Sequence, residues 1–232
     1  MKVIVIKIII LAAGTGSRLG HGIPKAMVEL DNSTTIMDQQ LENIKKATGT
    51  ENIRVVLGYK GSLIEEKHPE LEYLYNPRYR ETNTSKSLLI GLEDLDEDVI
   101  WMNGDVVFDP EILRTLHQKK GNHICVDNKR VGEEEVKYNL TDDGYIKELS
   151  KTVQNPLGEA VGINRVSRET LPVLREALNE CHDQDYFERG VEIIIERGER
   201  FKPLNIGNMF CIEVDFPEDL ETARKYYMEH KE

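Results

Sequence analysis

The chain opens on an apolar run from Val3 to Ala13, interrupted only by Lys7. Such a run is too short to cross a bilayer, which takes about 20 apolar residues in a helix, and it reads as a strand buried on both faces, centred on Ile8–Leu11. A glycine-containing loop follows. Asp38–Ala47 then has helical spacing, with Leu41 and Ile44 three apart on one face. Asn52–Leu57 reads as a second strand ended by Gly58-Tyr59, and Leu63–Lys67 begins a short helix that Pro69 closes. Leu71–Tyr75 is a third strand, and Thr84–Leu95 is a helix presenting Leu88, Leu92 and Leu95. Asp98–Met102 is a strand running into Asn103-Gly104-Asp105, with Trp101 expected in the core. Pro110 sits near the start of a helix that ends about Lys120. This alternation of short β-rich runs with amphipathic stretches predicts a mostly parallel sheet with helices on both faces.

The pattern changes after Gly121. Ile124–Asp127, Glu135–Leu140 and Tyr145–Leu149 read as strands, with Asp142-Asp143-Gly144 a hairpin turn. Glu159–Val166 is another strand, Thr170–Cys181 and Asp185–Arg197 are helical, and Phe201–Asn205 is a short strand. Cys211–Val214 leads into Asp215, and Pro217 opens a final helix to about His230. With no linker or repeat, the expectation is a single domain over 1–232, with a β-rich insertion at about 123–166.

At 232 residues, 39% hydrophobic, the chain is long enough for a substantial core. Its formal charge of −12 opposes sequence-independent nucleic-acid binding, which requires basic surface, but it leaves room for a local basic pocket. Cys125, Cys181 and Cys211 are widely spaced and form no CxxC pair, so they are expected as buried or incidental thiols in a reducing cytosol. No signal-peptide cleavage pattern follows the first apolar run, and a cytoplasmic protein without membrane partners is expected.

Candidate chemistry begins at Leu11-Ala12-Ala13-Gly14-Thr15-Gly16-Ser17-Arg18-Leu19, with Pro24-Lys25 shortly after. A strand leading into glycines lets backbone N–H groups approach phosphate oxygens, and Arg18 and Lys25 can neutralise a triphosphate. The dinucleotide fingerprint fails because Leu19 stands where its third glycine belongs, and the P-loop fails because Ala26 follows Lys25. The same residues also suit an ordinary strand-to-helix turn. Asp105 and Asp215 each end an apolar strand, where open parallel sheets place their ligand crevice. Brought together, they could hold Mg²⁺; taken singly, each could cap a turn.

LAAGTGSRLG followed by PK resembles the signature of nucleotidyltransferases that make NDP-sugars and related CDP-alcohols. Val56-Leu57-Gly58-Tyr59, Asn103-Gly104-Asp105 and Ile212-Glu213-Val214-Asp215 recur in the order of that family's landmarks. The resemblance implies a Rossmann-like, three-layer α/β/α fold of GT-A type. It implies catalytic roles for Arg18 and Lys25, and metal binding by Asp105 and Asp215 with Glu213 assisting. Nucleotide contacts are implied from Leu11, Ala12, Ala13, Gly14, Thr15, Gly16, Ser17, Gly58, Tyr59, Asn83, Ser87 and Gly104.

The stretch Tyr75–Leu88, with its Thr82-Asn83-Thr84, is similar to the cytidylyltransferases acting on phosphocholine, aminoalkylphosphonates and similar headgroups. Those residues also suit an N-capped helix, with Thr84 or Ser85 as the cap. Lys137, a Gly144-Tyr145-Ile146 hairpin with Lys151, and Gly158-Glu159-Ala160-Val161-Gly162 resemble the same branch. On that resemblance Tyr79, Lys137, Lys151, Glu159, Gly162 and Glu188 form the acceptor side, although both lysines would equally serve as solvated hairpin positions. Tyr186-Phe187-Glu188 opens a helix, with Phe187 expected in the core and an aromatic-plus-carboxylate pair suited to an alkylammonium group.

The implied reaction is Mg²⁺-dependent transfer of CMP from CTP to a small phosphorylated or phosphonate headgroup. Two alternatives stay open. One is a sugar-1-phosphate or inositol-1-phosphate nucleotidyltransferase using CTP, UTP, dTTP or GTP; the other is an inactive nucleotide sensor on the same fold. CTP rests on the branch resemblance alone, and the oligomeric state, a homodimer included, is left open.

Overall fold

The structure is a computed structural model describing residues 6–16, 19–20, 22–129 and 131–231. Its elements in chain order are β1 (Ile6–Ala12), α1 (Ile36–Thr48), β2 (Ile53–Leu57), α2 (Ser62–Lys67), β3 (Glu72–Tyr75), α3 (Thr84–Gly91), β4 (Asp98–Asn103), β5 (Val106–Phe108), α4 (Pro110–His117), β6 (Asn122–Asp127), β7 (Lys137–Leu140), β8 (Ile146–Ser150), β9 (Gly158–Val166), α5 (Leu171–Glu180), α6 (Phe187–Glu196), β10 (Phe201–Asn205), β11 (Cys211–Glu213) and α7 (Pro217–His230).

The central sheet runs β10-β6-β9-β4-β1-β2-β3, with the β7–β8 hairpin attached beside β9. β1 pairs in parallel with β2 and β4, β2 with β3, and β6 with β10. β9 is antiparallel to both β4 and β6. The segment 123–166, expected as an insertion, therefore supplies two strands of the main sheet, and only the hairpin lies beside it. β9 takes this interior place because it is long and buried almost throughout.

β1 shows why the first apolar run has no polar face. Ile8 and Ile10 pack with Met37 and Ile44 of α1 and with Ile112 and Leu116 of α4. Ile9 and Leu11 point the other way, toward Leu88 of α3, Leu174 and Leu178 of α5, and Ile194 of α6. Helices cover both faces, so both side-chain parities are apolar. Lys7 is tolerated because its ammonium donates to Asn52 Oδ1 and Glu72 Oε2, each at 2.6 Å. Arg54, on the neighbouring β2, shares Glu72.

Three local expectations change. The helix begun at Thr84 stops at Gly91, and Asp94 adopts positive φ, yet Leu92 and Leu95 remain buried in the turn that follows. Its cap is Asn83 rather than Thr84 or Ser85: the side-chain Oδ1 of Asn83 accepts from the Thr84 amide, while the Thr84 hydroxyl accepts from Phe187 N. The short β5 has no counterpart in the sequence pattern. It forms because it pairs antiparallel with β11, more than 100 residues further along the chain. Trp101 and Phe187 are core residues, meeting edge to face at 5.7 Å.

Candidate active site

The C-terminal ends of β1 and β4 open onto a cavity of about 550 Å³. Its floor depends on close backbone approach. Gly104 N donates to Leu11 O at 2.9 Å, and a Cβ at Gly104 would lie 2.9 Å from that same oxygen. The glycine loop departs from there, with Gly16 at φ +61°. Leu11, Ala12, Gly14, Thr15 and Gly16 line the cavity together with Gly104 and Asn83.

Asp105 and Asp215 meet because of two pairings. β5 and β11 align Val106 with Glu213, and Val214 N donates to Asp105 O at 2.9 Å. The Asp105 turn is held from below by Gln40 of α1, whose buried amide donates to Asn103 O and Val106 O at 2.9 and 2.8 Å. Asp215 is fixed by Asp219 in the first turn of α7, whose carboxylate accepts from the Asp215 and Phe216 amides at 3.1 and 2.8 Å.

Lys25 follows Pro24 in a short 3₁₀ turn and reaches between the two aspartates. Its ammonium donates to Asp105 Oδ2 at 2.8 Å and to Asp215 Oδ1. Burial disfavours the charged lysine, but the two carboxylates outweigh it and raise its pKa above the ordinary lysine range. The two aspartate oxygens thus already share one cation. Two hard carboxylate oxygens facing an open cavity, with room for phosphate and water oxygens, suit Mg²⁺. Among the described residues no third acidic, histidine or cysteine side chain closes a complete metal cage. Glu213 instead accepts from Asn103 Nδ2 at 2.9 Å. Partial desolvation within the cavity, followed by the Asp105 charge, raises the Glu213 carboxyl above the ordinary carboxylate range. Gly162 makes room for it: a Cβ there would lie 2.4 Å from Glu213 Oε1.

The rest of the lining comes from the segment just before β7, Lys151 after β8, the start of β9 and the start of α6. Glu159 is buried and paired with Lys129 at 2.7 Å. Lys151 Nζ lies 5.0 Å from the Tyr186 ring centroid. Glu188, in the first turn of α6, is also buried, and burial pushes it up to about 7.

The structure therefore gathers Lys25, Asp105, Asp215, Glu213, Lys151, Glu159 and Glu188 around one cavity with the glycine loop and Asn83. Other expected residues stand outside the lining. Ala13 O accepts from Tyr59 N, and Gly58 packs where a Cβ would lie 2.5 Å from Ala13 O. Tyr59 and Tyr79 rings face each other at 6.4 Å. The buried Ser87 hydroxyl accepts from Asn76 Nδ2 at 3.1 Å, a contact within the fold. Lys137 Nζ donates to Lys151 O at 2.7 Å and ties the hairpin to the following turn. Ser17 and Arg18 lie outside the described residues. Gln40, Lys129 and Asp219 were not singled out in the sequence, and Asn103 stood there only within the Asn103-Gly104-Asp105 landmark, without a role. Only Asp219 carried a local signal, an acidic residue two positions after the helix-opening Pro217.

Residues 8–195 match the MobA-like NTP transferase domain. CMP-5′-(3-aminopropyl)phosphonate synthase of Streptomyces rubellomurinus is 30% identical over 48% of this chain and 19% of its own length. Bifunctional protein GlmU of Methanocaldococcus jannaschii is 23% identical over 95% of this chain and 54% of its own. The chain thus spans between about a fifth and about half the length of these curated relatives. Inositol-1-phosphate CTP transferase from T. maritima superimposes with a TM-score of 0.81 at 17% identity, covering 98% of both chains. CTP:phosphocholine cytidylyltransferase from Streptococcus pneumoniae gives 0.79 at 20% identity, covering 95% of this chain and 98% of that one. The fold is that of nucleotidyltransferases, as the glycine loop had implied. With most of its length matched and the loop, lysine and paired aspartates drawn to one cavity, this chain belongs to the MobA-like NTP transferase domain family.

Proposed function

We propose that the protein transfers CMP from CTP to the phosphate or phosphonate oxygen of a small headgroup, releasing pyrophosphate. The observation that carries this reading is Lys25 bridging Asp105 and Asp215 beside the glycine loop, in a cavity whose other wall is built from separate acceptor-side elements. The names of the relatives support the nucleotide: one makes a CMP-phosphonate, and two solved structures are titled as CTP-using transferases.

The acceptor oxygen is anionic near neutral pH, so attack on the α-phosphorus needs no strong general base. A new P–O bond forms as the bond between the α-phosphorus and the bridging oxygen breaks, and pyrophosphate leaves with that electron pair. The obstacle is repulsion between two anions and charge build-up at phosphorus, which positioning and electrostatics relieve. The loop backbone from Gly14 to Gly16 seats the nucleotide phosphates. Lys25 turns its ammonium from the aspartates to the α-phosphate, and Arg18 adds charge for the departing pyrophosphate. Mg²⁺ held by Asp105 and Asp215 would supply Lewis-acid stabilisation to the same phosphate oxygens.

A sugar-1-phosphate or inositol-1-phosphate acceptor is the second reading, favoured by the structures titled as an inositol-1-phosphate CTP transferase and a glucose-1-phosphate thymidylyltransferase. The test is pyrophosphate release with Mg²⁺, each NTP being paired with phosphocholine, 2-aminoethylphosphonate, inositol-1-phosphate and glucose-1-phosphate. Turnover with CTP and a headgroup acceptor is expected. Turnover confined to a sugar or inositol phosphate would discard the acceptor, and preference for another NTP would discard CTP.

A further inference from the structure

The start of α3 serves three helix ends at once. Its own N-terminus is capped by Asn83, whose Oδ1 accepts from the Thr84 amide. α6 opens at Phe187 behind Tyr186, which supplies no side-chain cap. Its first amide is satisfied from another segment: Phe187 N donates to the Thr84 hydroxyl at 3.0 Å, across 103 positions of chain. α5 ends at Glu180 with no basic residue in its last turn. Lys86 supplies that charge from α3, its ammonium donating to Leu178 O, Asn179 O and Cys181 O at 3.0, 3.1 and 2.6 Å.

The turn between α5 and α6 is tied to the same segment. Asn83 N donates to Asp183 O at 2.7 Å and Ser85 N to Asp185 O at 3.3 Å, while Gln184 Nε2 donates back to Glu81 O at 2.6 Å. Arg78 also pairs with Asp183 at 2.6 Å, but that pair is exposed and screened, so the caps and backbone bonds set the geometry. The two caps differ in what they reach. Thr84 lines the cavity together with Asn83 and with Tyr186, Phe187 and Glu188 from the start of α6, whereas Lys86 stands outside the lining. A first helical turn that loses the acceptor for its amide frays, and in α6 that turn is a wall of the cavity.

We propose that Thr84 is a positioning residue: its hydroxyl caps α6 from the nucleotide-side helix and so holds the acceptor-side wall in its binding form. This rests on the CMP-transfer reading above, in which α6 faces the acceptor. Without the cap, acceptor binding must first order the start of α6, and the apparent affinity falls with the fraction of molecules already ordered. CTP, seated on the glycine loop, carries no such cost.

The experiment measures KM and kcat with CTP and Mg²⁺ in the wild type, Thr84→Val, Thr84→Ser and Lys86→Met. The acceptor is whichever of phosphocholine, 2-aminoethylphosphonate, inositol-1-phosphate and glucose-1-phosphate the wild type turns over. Hydrogen–deuterium exchange at the Phe187 amide, without substrate, is the second readout. Thr84→Val keeps the side chain's shape and removes the accepting oxygen. It should raise the acceptor KM about 3- to 30-fold, the range for losing one helix cap, with the CTP KM within about 2-fold of wild type. Phe187 exchange should quicken by a similar factor. Thr84→Ser keeps the hydroxyl and should restore both. Lys86→Met should lower Tm yet leave the acceptor KM within about 2-fold, because it loosens α5 rather than the cavity wall.

An unchanged acceptor KM in Thr84→Val, or an equal rise in its CTP KM, would overturn the positioning role and leave CMP transfer standing. So would an equal rise of the acceptor KM in Lys86→Met, which would reduce the effect to general stability. Unchanged Phe187 exchange would overturn the cap itself. If the wild type turned over none of the four acceptors with CTP, the transfer reading would fall and this inference with it.

Discussion

Lys25→Met removes the ammonium that Asp105 and Asp215 share while keeping most of the side chain's apolar volume. The Lys25 side chain is 17% exposed, and the two aspartates are 21% and 29% exposed. Breaking a fully buried pair costs about 3–5 kcal/mol, whereas an exposed pair contributes about 1 kcal/mol or less. These groups lie between the limits, and a loss of about 2 kcal/mol follows. For a chain of this size that corresponds to a fall in Tm of about 4–8 °C, measured by circular dichroism without added metal. The sign should then change with cation. Mg²⁺ or Mn²⁺ should raise the Tm of the variant more than that of the wild type, since in the variant the Lys25 ammonium no longer competes for the two carboxylates. Turnover should be lost in either case under the proposed role of Lys25 at the α-phosphate. A metal-free Tm within about 1 °C of wild type, or an equal metal response in both proteins, would refute the shared-cation picture.

Gly162→Ala places a Cβ 2.4 Å from Glu213 Oε1 at a φ of +72°. The left-handed backbone alone costs about 1–2 kcal/mol, so a fall in Tm of about 2–8 °C is expected by differential scanning fluorimetry, with a drop in kcat as Glu213 is displaced; wild-type values for both would show that Glu213 tolerates the intrusion. Glu188 predicts the pH response. Its folded pKa of about 7 lies above the ordinary glutamate value of 4.5, so the folded protein holds a proton that the unfolded chain releases, and stability falls as pH rises through that interval. Among the charged groups around it, Lys151 lowers its pKa and Glu192 raises it, and Glu213 lies within its electrostatic reach. Glu188→Gln should flatten that slope and gain Tm relative to wild type at pH 8 but not at pH 4; parallel pH profiles would mean that Glu188 is ionised at little cost in the fold.

The order of elements and the sheet class were legible because local pattern and burial agree. Ile8–Leu11 is apolar at every position, which a strand requires only when both faces are covered, and helices cover both faces of β1. The family was legible for a similar reason: a glycine loop and its following lysine lie close in sequence, and the backbone geometry that phosphates need is imposed within a few residues. The cytidylyltransferase branch was read by resemblance from the Tyr75–Leu88 stretch, whereas the acceptor itself had no such local imprint.

Tertiary structure decided how distant residues combine. Asp105 and Asp215 are 110 positions apart, and their meeting depends on β5, three residues that form a strand only against β11. Gln40 looks like an unremarkable helix residue until its amide is seen holding the Asp105 turn. Lys137 and Ser87 resemble site residues in sequence, yet one binds the carbonyl of Lys151 and the other the amide of Asn76. A side chain's partners depend on which segments pack against it, and one-dimensional periodicity records whether a position is buried rather than what it meets. Glu188 is the clearest case, since both its burial and the lack of a donor to its Oε2 among the described residues arise only when α6 closes one wall of the cavity.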